Sequence, residues 1–531
     1  MRILISDDLS PEAKTILERI PGAQVDFKPG MKAAELREVI GGYDALAVRS
    51  ATKVTAEILA SATKLKVIGR AGTGVDNIDL PAASRKGVVV MNAPGGNSVS
   101  VAEHTLALLL SLARSVSDAS ASTRAGKWEK KKFSSGRELQ GKTLGVVGTG
   151  NIGALVVKRA QAFGMKVIGY DPFLSAEAAQ KLGIELVELP DLYKRSDALT
   201  LHVPLTEQTK NMIAAPQLAA MKPGALIVNC ARGGLIDEKA LADALKSKKI
   251  GGAALDVFEV EPPPADHPLF QCENFIGTPH LGGSTEDAQE KVAVIVCESM
   301  VDYLTTGTIR NAVNVSSVTG EVLERLGPFL KLCEKLGKLA GQLSLDGDTA
   351  PEAIEIAYAG EVASEQTAAL TASVLKGVLG TFLAEPVNEV SGPALAKERG
   401  LSVTESKTSD TPDFTSLVNV KLRYKTATTE VAGTIVGKRE PRIVRVNAFE
   451  VEAVPEGPMI VLYNADAPGV VGNVGKALGE AKVNIAQLAL ARDKARGEAL
   501  ALVNVDSTAS HELLETLRKL PNVKRVHQVV L

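Results

Sequence analysis

Over roughly the first 310 residues, short apolar runs alternate with stretches whose apolar positions recur every three or four residues. That alternation is the pattern of parallel strands joined by helices. RILIS from Arg2, ALAV from Ala45, KVIG from Lys66 and VVVMN from Val88 predict strands of a first sheet. A long helix with one apolar face, SVAEHTLALLLSLARSV, starts near Ser100. A second series of apolar runs begins at Leu144, Lys166, Ala198, Ala225, Gly252 and Asn274, which predicts six further strands. Another long helical stretch from Ser284 returns the chain to the first unit, so the second unit is inserted within it. Beyond Val318 the texture changes. A Leu/Lys-rich helical piece leads into strands such as EAIEIAYAGEV and LVNVKLRYKT, with no catalytic motif. EAVPEGP, ending at Pro458, reads as a linker. Met459 to Leu531 then reads strand, helix, strand, strand, helix, strand, a ferredoxin-like unit.

Composition narrows the function classes. A chain of 531 residues makes three or four domains the expectation. It is 45% hydrophobic and 23% charged, ordinary for a soluble globular protein. A net charge of −2 gives no field for nucleic acid or an anionic membrane, and 4% aromatic residues leave little for base stacking. Cys230, Cys272, Cys297 and Cys333 stand far apart with no CxxC pair, which fits a reducing cytoplasm and no metal site. The opening MRILISDDLSPEA meets acid and proline at once and is no cleavable signal, and no apolar run is long enough to span a bilayer.

The chemistry begins at Gly148-Thr149-Gly150-Asn151-Ile152-Gly153, between the strand at Leu144 and a helix. In such a turn Gly148 makes the bend, Gly150 lets the backbone approach a pyrophosphate, and Gly153 permits close helix–strand packing. Asp171 ends the next strand, placed to accept from ribose hydroxyls. Pro172 and Phe173 follow it, with no arginine for a 2′-phosphate, which favours NAD over NADP. Reactive groups belong outside the carboxyl ends of parallel strands. Those ends carry His202, Cys230, Arg232, Asp256 and His280. Oxidising a secondary alcohol needs a base, a partner for the base and a cation for the acid group, roles that His280, Glu261 and Arg232 can fill. His202 reads as lining the cofactor cleft, Cys230 as part of its wall, and His104 as a core or interface histidine. His267, His511 and His527 have no motif around them. In the first unit, VRSAT brings Arg49 and Ser50, and GRAGTGVDN brings Arg70 and the Gly72-Thr73-Gly74 turn. Those arginines and successive backbone N–H groups suit anions. KWEKKKF gathers four lysines around Trp128 and Phe133, which also fits a solvated face.

GRAGTGVDNID, MNAPGGNSVSVAEHT, GKWEKKKF, GTGNIG, NCARGGLIDE, LDVFEVEPP and PHLGGST together resemble the D-isomer-specific 2-hydroxyacid dehydrogenases, in their long-form D-3-phosphoglycerate dehydrogenase branch. ADAPGVVGNVGKALGEAKVNIAQL is similar to ACT-type regulatory domains. The resemblance implies a flavodoxin-like substrate domain (1–97 and 284–317) with an inserted Rossmann domain (98–283). An α+β intervening domain (318–456) and a ferredoxin-like ACT domain (457–531) would follow. It implies catalytic roles for His280, Glu261 and Arg232. Cofactor positions fall on Thr73, Gly148, Gly150, Asn151, Ile152, Gly153, Asp171, Val203, Cys230, Ala231, Arg232, Asp256, His280, Gly282 and Gly283. Substrate positions fall on Arg49, Ser50, Gly72, Thr73, Gly74 and Lys130, and effector positions for L-serine on Asn464, Asp466 and Asn484. Two positions depart from the family pattern: Gly283, often alanine, and Lys130, often arginine. The expected activity is NAD-dependent oxidation of 3-phosphoglycerate by a cytoplasmic homo-oligomer, a dimer or tetramer, at the first step of L-serine synthesis. Two alternatives stay open: a dehydrogenase for another D-2-hydroxy acid, and a non-enzymatic NAD-sensing scaffold.

Overall fold

A computed structural model describes residues 1–315, 320–343, 351–383, 386–411, 413–425, 427–437, 439–493, 495 and 497–531. Five parallel strands, β1 (Arg2–Ile5), β2 (Gln24–Phe27), β3 (Ala45–Val48), β4 (Val67–Arg70) and β5 (Val89–Met91), form the first sheet in the order β2-β1-β3-β4-β5. That is the flavodoxin-like order. ALAV is buried at every position, as a central strand covered on both faces must be. QVDF escapes the apolar pattern because β2 is a half-exposed edge strand. Its Asp26 accepts from the Tyr43 hydroxyl at 2.6 Å and pairs with Arg2 at 2.7 Å.

The second sheet is also parallel. Its strands are β6 (Thr143–Val147), β7 (Lys166–Tyr170), β8 (Glu185–Leu186), β9 (Ala198–Leu201), β10 (Ala225–Asn229), β11 (Ile250–Leu255) and β12 (Phe275–Gly277). They run in the order β12-β11-β10-β9-β6-β7-β8, the doubly wound arrangement that reverses direction beside β6. There are seven strands where six are expected. The added one, β8, pairs only Glu185 and Leu186 with β7, too short for any periodicity to register. Helix Ser98–Arg114 packs on helix Asn151–Ala162 and on β10 and β11, whereas helix Glu286–Thr306 packs on helix Pro11–Leu17 and on β4 and β5. The Thr285 hydroxyl accepts from Ala288 N at 3.2 Å to start that second long helix, and left-handed Gly307 ends it. The chain then bridges back to the first sheet, Ala312 against Met91.

Two more sheets follow. β13 (Ala353–Gly360), β14 (Ser402–Thr408), β15 (Ser416–Arg423), β16 (Thr428–Val436), β17 (Glu440–Val446) and β18 (Phe449–Ala453) form one, in the order β14-β13-β15-β16-β17-β18. β19 (Pro458–Ala465), β20 (Ile485–Asp493), β21 (Glu498–Val505) and β22 (Val523–Val530) form the other, antiparallel in the order β20-β21-β19-β22. Alternation along β19 splits its side chains. Ile460 and Leu462 face helices Val470–Glu480 and His511–Arg518, while Met459 and Val461 join the core of the preceding sheet. Among the described residues no single helix is long and apolar enough to cross a membrane.

Candidate active site

The carboxyl ends of both parallel sheets meet at one cleft. From the second sheet, β6 runs into the glycine turn. Gly148 sits at φ +86°, and a Cβ there would lie 2.5 Å from the His202 carbonyl. A Cβ on Gly153 would collide with the Gly148 carbonyl oxygen. These two glycines serve the packing of the turn itself. Gly150 differs: a Cβ there would meet nothing within 4 Å. It is the N-cap of helix Asn151–Ala162 and brings no side chain to the first N–H groups. The open space at that helix N-terminus fits a dinucleotide pyrophosphate. Val203 closes the turn from the far side, Ile152 packs into the core beneath, and the Asn151 amide approaches Gly95.

At the end of β7, Asp171 Oδ2 accepts from Thr149 N at 2.8 Å and Thr149 Oγ1 at 3.0 Å, and Oδ1 accepts from Phe173 N at 2.9 Å. Burial works to raise this carboxyl, but the three donors outweigh it and hold the group below the usual carboxylate range. An anion therefore stands beside the glycine turn.

Past β12, His280 Nδ1 lies 2.8 Å from Glu261 Oε2. The Glu261 bond, working against burial, raises the His280 pKa above its ordinary value. Glu261 is lowered: hydrogen bonds from His280 and from Phe258 N exceed the desolvation that would raise it. His280 occupies the left-handed region, φ +54°, which a residue with a side chain rarely adopts. Asp256, at the end of β11, fixes the loop around it. Oδ1 accepts from Leu281 N (2.8 Å) and Thr278 Oγ1 (2.6 Å), and Oδ2 accepts from Gly282 N (2.8 Å). Both Asp256 oxygens are thus engaged by protein donors. A cavity of about 570 Å³ opens beside the His280–Glu261 pair, walled by Phe258, Pro262, Phe270 and Phe275.

Both sheets supply cations. Arg232, past β10, donates from Nε to Asp76 Oδ2 at 3.0 Å and from Nη1 to Ala231 O at 2.6 Å, and lies so close to the Gly74 backbone that a Cβ there would strike Nη2. Arg70 ends β4 and folds over Gly72, which adopts φ +152°. Desolvation, then the like charges of Arg232 and Arg49, push the Arg70 pKa down to about 10, and its buried Nε has no partner among the described residues. Arg49 is set by Asp7, whose Oδ2 accepts from Arg49 N at 2.6 Å, and its Nη2 lies 3.4 Å from Ser284 Oγ. Ser50 beside it is exposed. Thr73 donates to Asn97 Oδ1 at 2.8 Å, and a Cβ on Gly283 would lie 2.8 Å from Asn97 Nδ2. Thr73 and Gly283 therefore meet at the point where the chain passes between the sheets.

Other candidates fall away from the chemistry. Burial pushes His202 down to about 4 and the Cys230 thiol up to about 12, so neither is charged near neutrality. His267 pairs with Glu238 at 2.9 Å. His104, read from the sequence as a core or interface residue, instead reaches the site: its Nε2 lies 3.2 Å from Asp256 Oδ1 and 3.1 Å from Thr278 Oγ1. The available signal was Ser100 and His104, two polar residues four apart and so on one face of the helix.

Residues 106–282 match the NAD binding domain of the D-isomer specific 2-hydroxyacid dehydrogenases, and residues 325–447 match the D-3-phosphoglycerate dehydrogenase intervening domain. A D-3-phosphoglycerate dehydrogenase of Methanocaldococcus jannaschii is 45% identical over 527 residues, 99% of either chain. The chain belongs to the D-3-phosphoglycerate dehydrogenase family. Among solved structures, a Thermus thermophilus protein matches at a TM-score of 0.55 and 37% identity, over 59% of this chain and all of that one. An NAD-dependent formate dehydrogenase from Staphylococcus aureus in complex with NAD matches at 0.54 and 30%, over 60% of this chain and all of that one. This dehydrogenase is therefore an oxidoreductase of the 2-hydroxyacid type with a nicotinamide dinucleotide cofactor.

Two sets of expected residues in this dehydrogenase lie apart. Lys130 is exposed on segment 127–133, beside Trp128, which is 84% exposed. Its neighbours Glu129 and Lys132 line a cavity with Asp118, Ser122 and Asn274, to which Arg49, Arg70 and Arg232 do not contribute. In the last sheet, Asn464 is buried near the end of β19, and Asp466 next to it forms an ion pair with Arg492 at 2.8 Å. Asn484 instead donates to Asp506 at 2.8 Å, at the opposite end. The register pairs Asn464 with Ala499 and Ile485 with Val505. Six residues of β21 separate those pairs, about 20 Å at the strand rise.

Proposed function

We propose that the protein oxidises 3-phospho-D-glycerate to 3-phosphohydroxypyruvate with NAD, the reaction that opens L-serine synthesis. The observation that carries this reading is the clustering of Arg49, Arg70 and Arg232, with the Arg232 charge felt at His280 and a desolvated Arg70 guanidinium nitrogen left unpaired. A monocarboxylate such as D-lactate calls for one such cation. A substrate carrying both a carboxylate and a phosphate calls for more, because each anion is best met by its own fork of donors. The carboxylate binds at the Gly72–Gly74 turn and Arg232. The phosphate binds at Arg49, beside Arg70 and Ser50, with Lys130 of the partner subunit closing over it. His280 takes the C2 hydroxyl proton, and Glu261 stabilises the resulting imidazolium. The glycine turn, Thr73, Val203 and the Cys230–Arg232 strand end would hold the dinucleotide, which would supply the hydride acceptor. The anionic Asp171 repels a 2′-phosphate, which selects NAD over NADP.

In this reading residues 1–97 and 284–317 form the substrate domain, 98–283 the nucleotide domain, 318–456 the intervening domain and 457–531 the regulatory domain. L-Serine binds between two regulatory domains and lowers activity. β20 is an edge strand with Ile485, Leu488 and Leu490 exposed. Antiparallel pairing of two β20 edges about a two-fold axis brings Asn484 of one copy to Asn464 and Asp466 of the other. Four buried free thiols suit a cytoplasmic enzyme. The test is turnover of 3-phosphoglycerate, D-glycerate and D-lactate with NAD and NADP, with and without L-serine. Higher kcat/KM for D-lactate than for 3-phosphoglycerate would favour the general D-2-hydroxyacid reading, and tight NADH binding without turnover would favour a sensor.

A further inference from the structure

His104 sits on helix Ser98–Arg114 and touches neither Glu261 nor His280 by any hydrogen bond among the described residues. Its Nε2 faces Asp256 Oδ1 at 3.2 Å and Thr278 Oγ1 at 3.1 Å. The proton positions follow from their partners. Asp256 is a carboxylate and only accepts, and the Thr278 hydroxyl donates to it at 2.6 Å. The Thr278 oxygen is then left as an acceptor, so His104 Nε2 carries the proton and donates to both. The same helix grips the loop a second time, since the Ser100 hydroxyl donates to Gly282 O at 2.6 Å. Between these two grips lies His280, whose N donates to Asp256 O at 2.9 Å and whose backbone is left-handed. A conformation that sparsely populated persists only where its surroundings over-determine it. Here the surroundings are Asp256 with the amides of Leu281 and Gly282, and His104 with Thr278 holds Asp256.

We propose that His104 is a positioning residue for the reaction: by donating to Asp256 it fixes loop 278–282 and keeps His280 aimed between Glu261 and the substrate. This rests on the reading of His280 as the base. Losing His104 leaves Asp256 held only by donors of the loop itself, Thr278 Oγ1 and the Leu281 and Gly282 amides, so carboxylate and loop are free to shift together relative to the helix. His280 then spends less time in the productive orientation. Such a defect lowers kcat with little change in KM, because the substrate's anionic groups bind elsewhere.

The experiment compares His104→Leu, His104→Gln and His280→Ala in the full-length enzyme, with sites counted by NADH binding. His104→Leu should lower kcat per site by about tenfold with KM for 3-phosphoglycerate nearly unchanged. Glutamine returns an N–H near the Nε2 position, so His104→Gln should recover most of that loss, while a residue that merely fills space would show no such recovery. Thermal unfolding of each variant separates loss of fold from loss of alignment. Wild-type kcat in His104→Leu, with His280→Ala inactive, would overturn the positioning role and leave the base assignment standing. An active His280→Ala would overturn the base assignment itself. Equal losses in the leucine and glutamine variants would place the role of His104 in packing and also overturn the proposal.

Discussion

Replacing Glu261 with glutamine keeps the shape of the side chain and removes one charge beside His280. In the proposed reaction His280 takes the substrate proton and becomes an imidazolium, and the 2.8 Å contact to Glu261 becomes a charge-assisted hydrogen bond. Such bonds contribute about 1.5–3 kcal/mol. The two side chains are 53% and 39% exposed, so solvent screening puts the loss at the lower end of that range. About 1.4 kcal/mol is tenfold in rate, so kcat for oxidation should fall about tenfold at its pH optimum. The pH profile carries a second, independent sign. The hydrogen bond from Glu261 raises His280, and burial works against it. Oxidation needs neutral imidazole, so the rate climbs as pH rises through that raised pKa. With glutamine the hydrogen bond from an anion and its charge are gone, and burial with Arg232 outweighs the remaining upward pull of Asp256, so the acid limb moves to lower pH. Reduction of the 2-oxo acid needs imidazolium, so its alkaline limb moves down as well. Steady-state NADH absorbance across the pH range, in both directions, measures these effects. An acid limb that stays in place or moves up would refute Glu261 as the partner of His280, whatever happens to kcat.

Gly150→Ala places a methyl in space where the protein has no atom within 4 Å, so the thermal midpoint of the free enzyme should hold while NADH affinity, read by calorimetry, falls at least about tenfold. Gly153→Ala collides with the Gly148 carbonyl, so it should lose about 1–3 kcal/mol of stability in chemical denaturation as well as NADH affinity. Asp171→Ala should narrow the kcat/KM ratio between NAD and NADP; an unchanged ratio would put the ribose contact elsewhere. Arg49→Ala should raise KM for 3-phosphoglycerate far more than for an unphosphorylated 2-hydroxy acid, and equal increases would make Arg49 structural. Asn484→Ala should weaken the response to L-serine without altering kcat in its absence, a several-fold effect if the coupling is about 1–3 kcal/mol.

The parts of the fold legible in the sequence are those where burial is uniform. β3, β9 and β10 are buried at every position and read as plain apolar runs. β2 and β8 lie at sheet edges, where one side of the strand faces solvent and the apolar signal fades. β19 and β21 are buried on both faces because the preceding sheet covers the side that its own helices leave open. The unbroken apolar runs MIVLY and ALALV announce that both faces are covered but not by what, since the residues that provide the cover come from another part of the chain.

The active cleft divides in the same way. Gly148, Gly150 and Gly153 are readable because each answers a local demand of one turn, and His280 with Glu261 because only a few titratable residues follow strand ends. His104 was misread because its partners, Asp256 and Thr278, stand 152 and 174 residues away along the chain. A polar residue on an apolar helix has two explanations, and only the tertiary contact separates them. The candidate effector residues depend on tertiary structure in another way. Asn464 and Asp466 stand at one end of the last sheet and Asn484 at the other, and the length of β21 holds those ends about 20 Å apart. Any effector that touches all three must therefore bind two copies of the chain at once. A monomer would offer it Asn464 with Asp466 or Asn484 but not all three, so binding of such an effector would be thermodynamically linked to assembly.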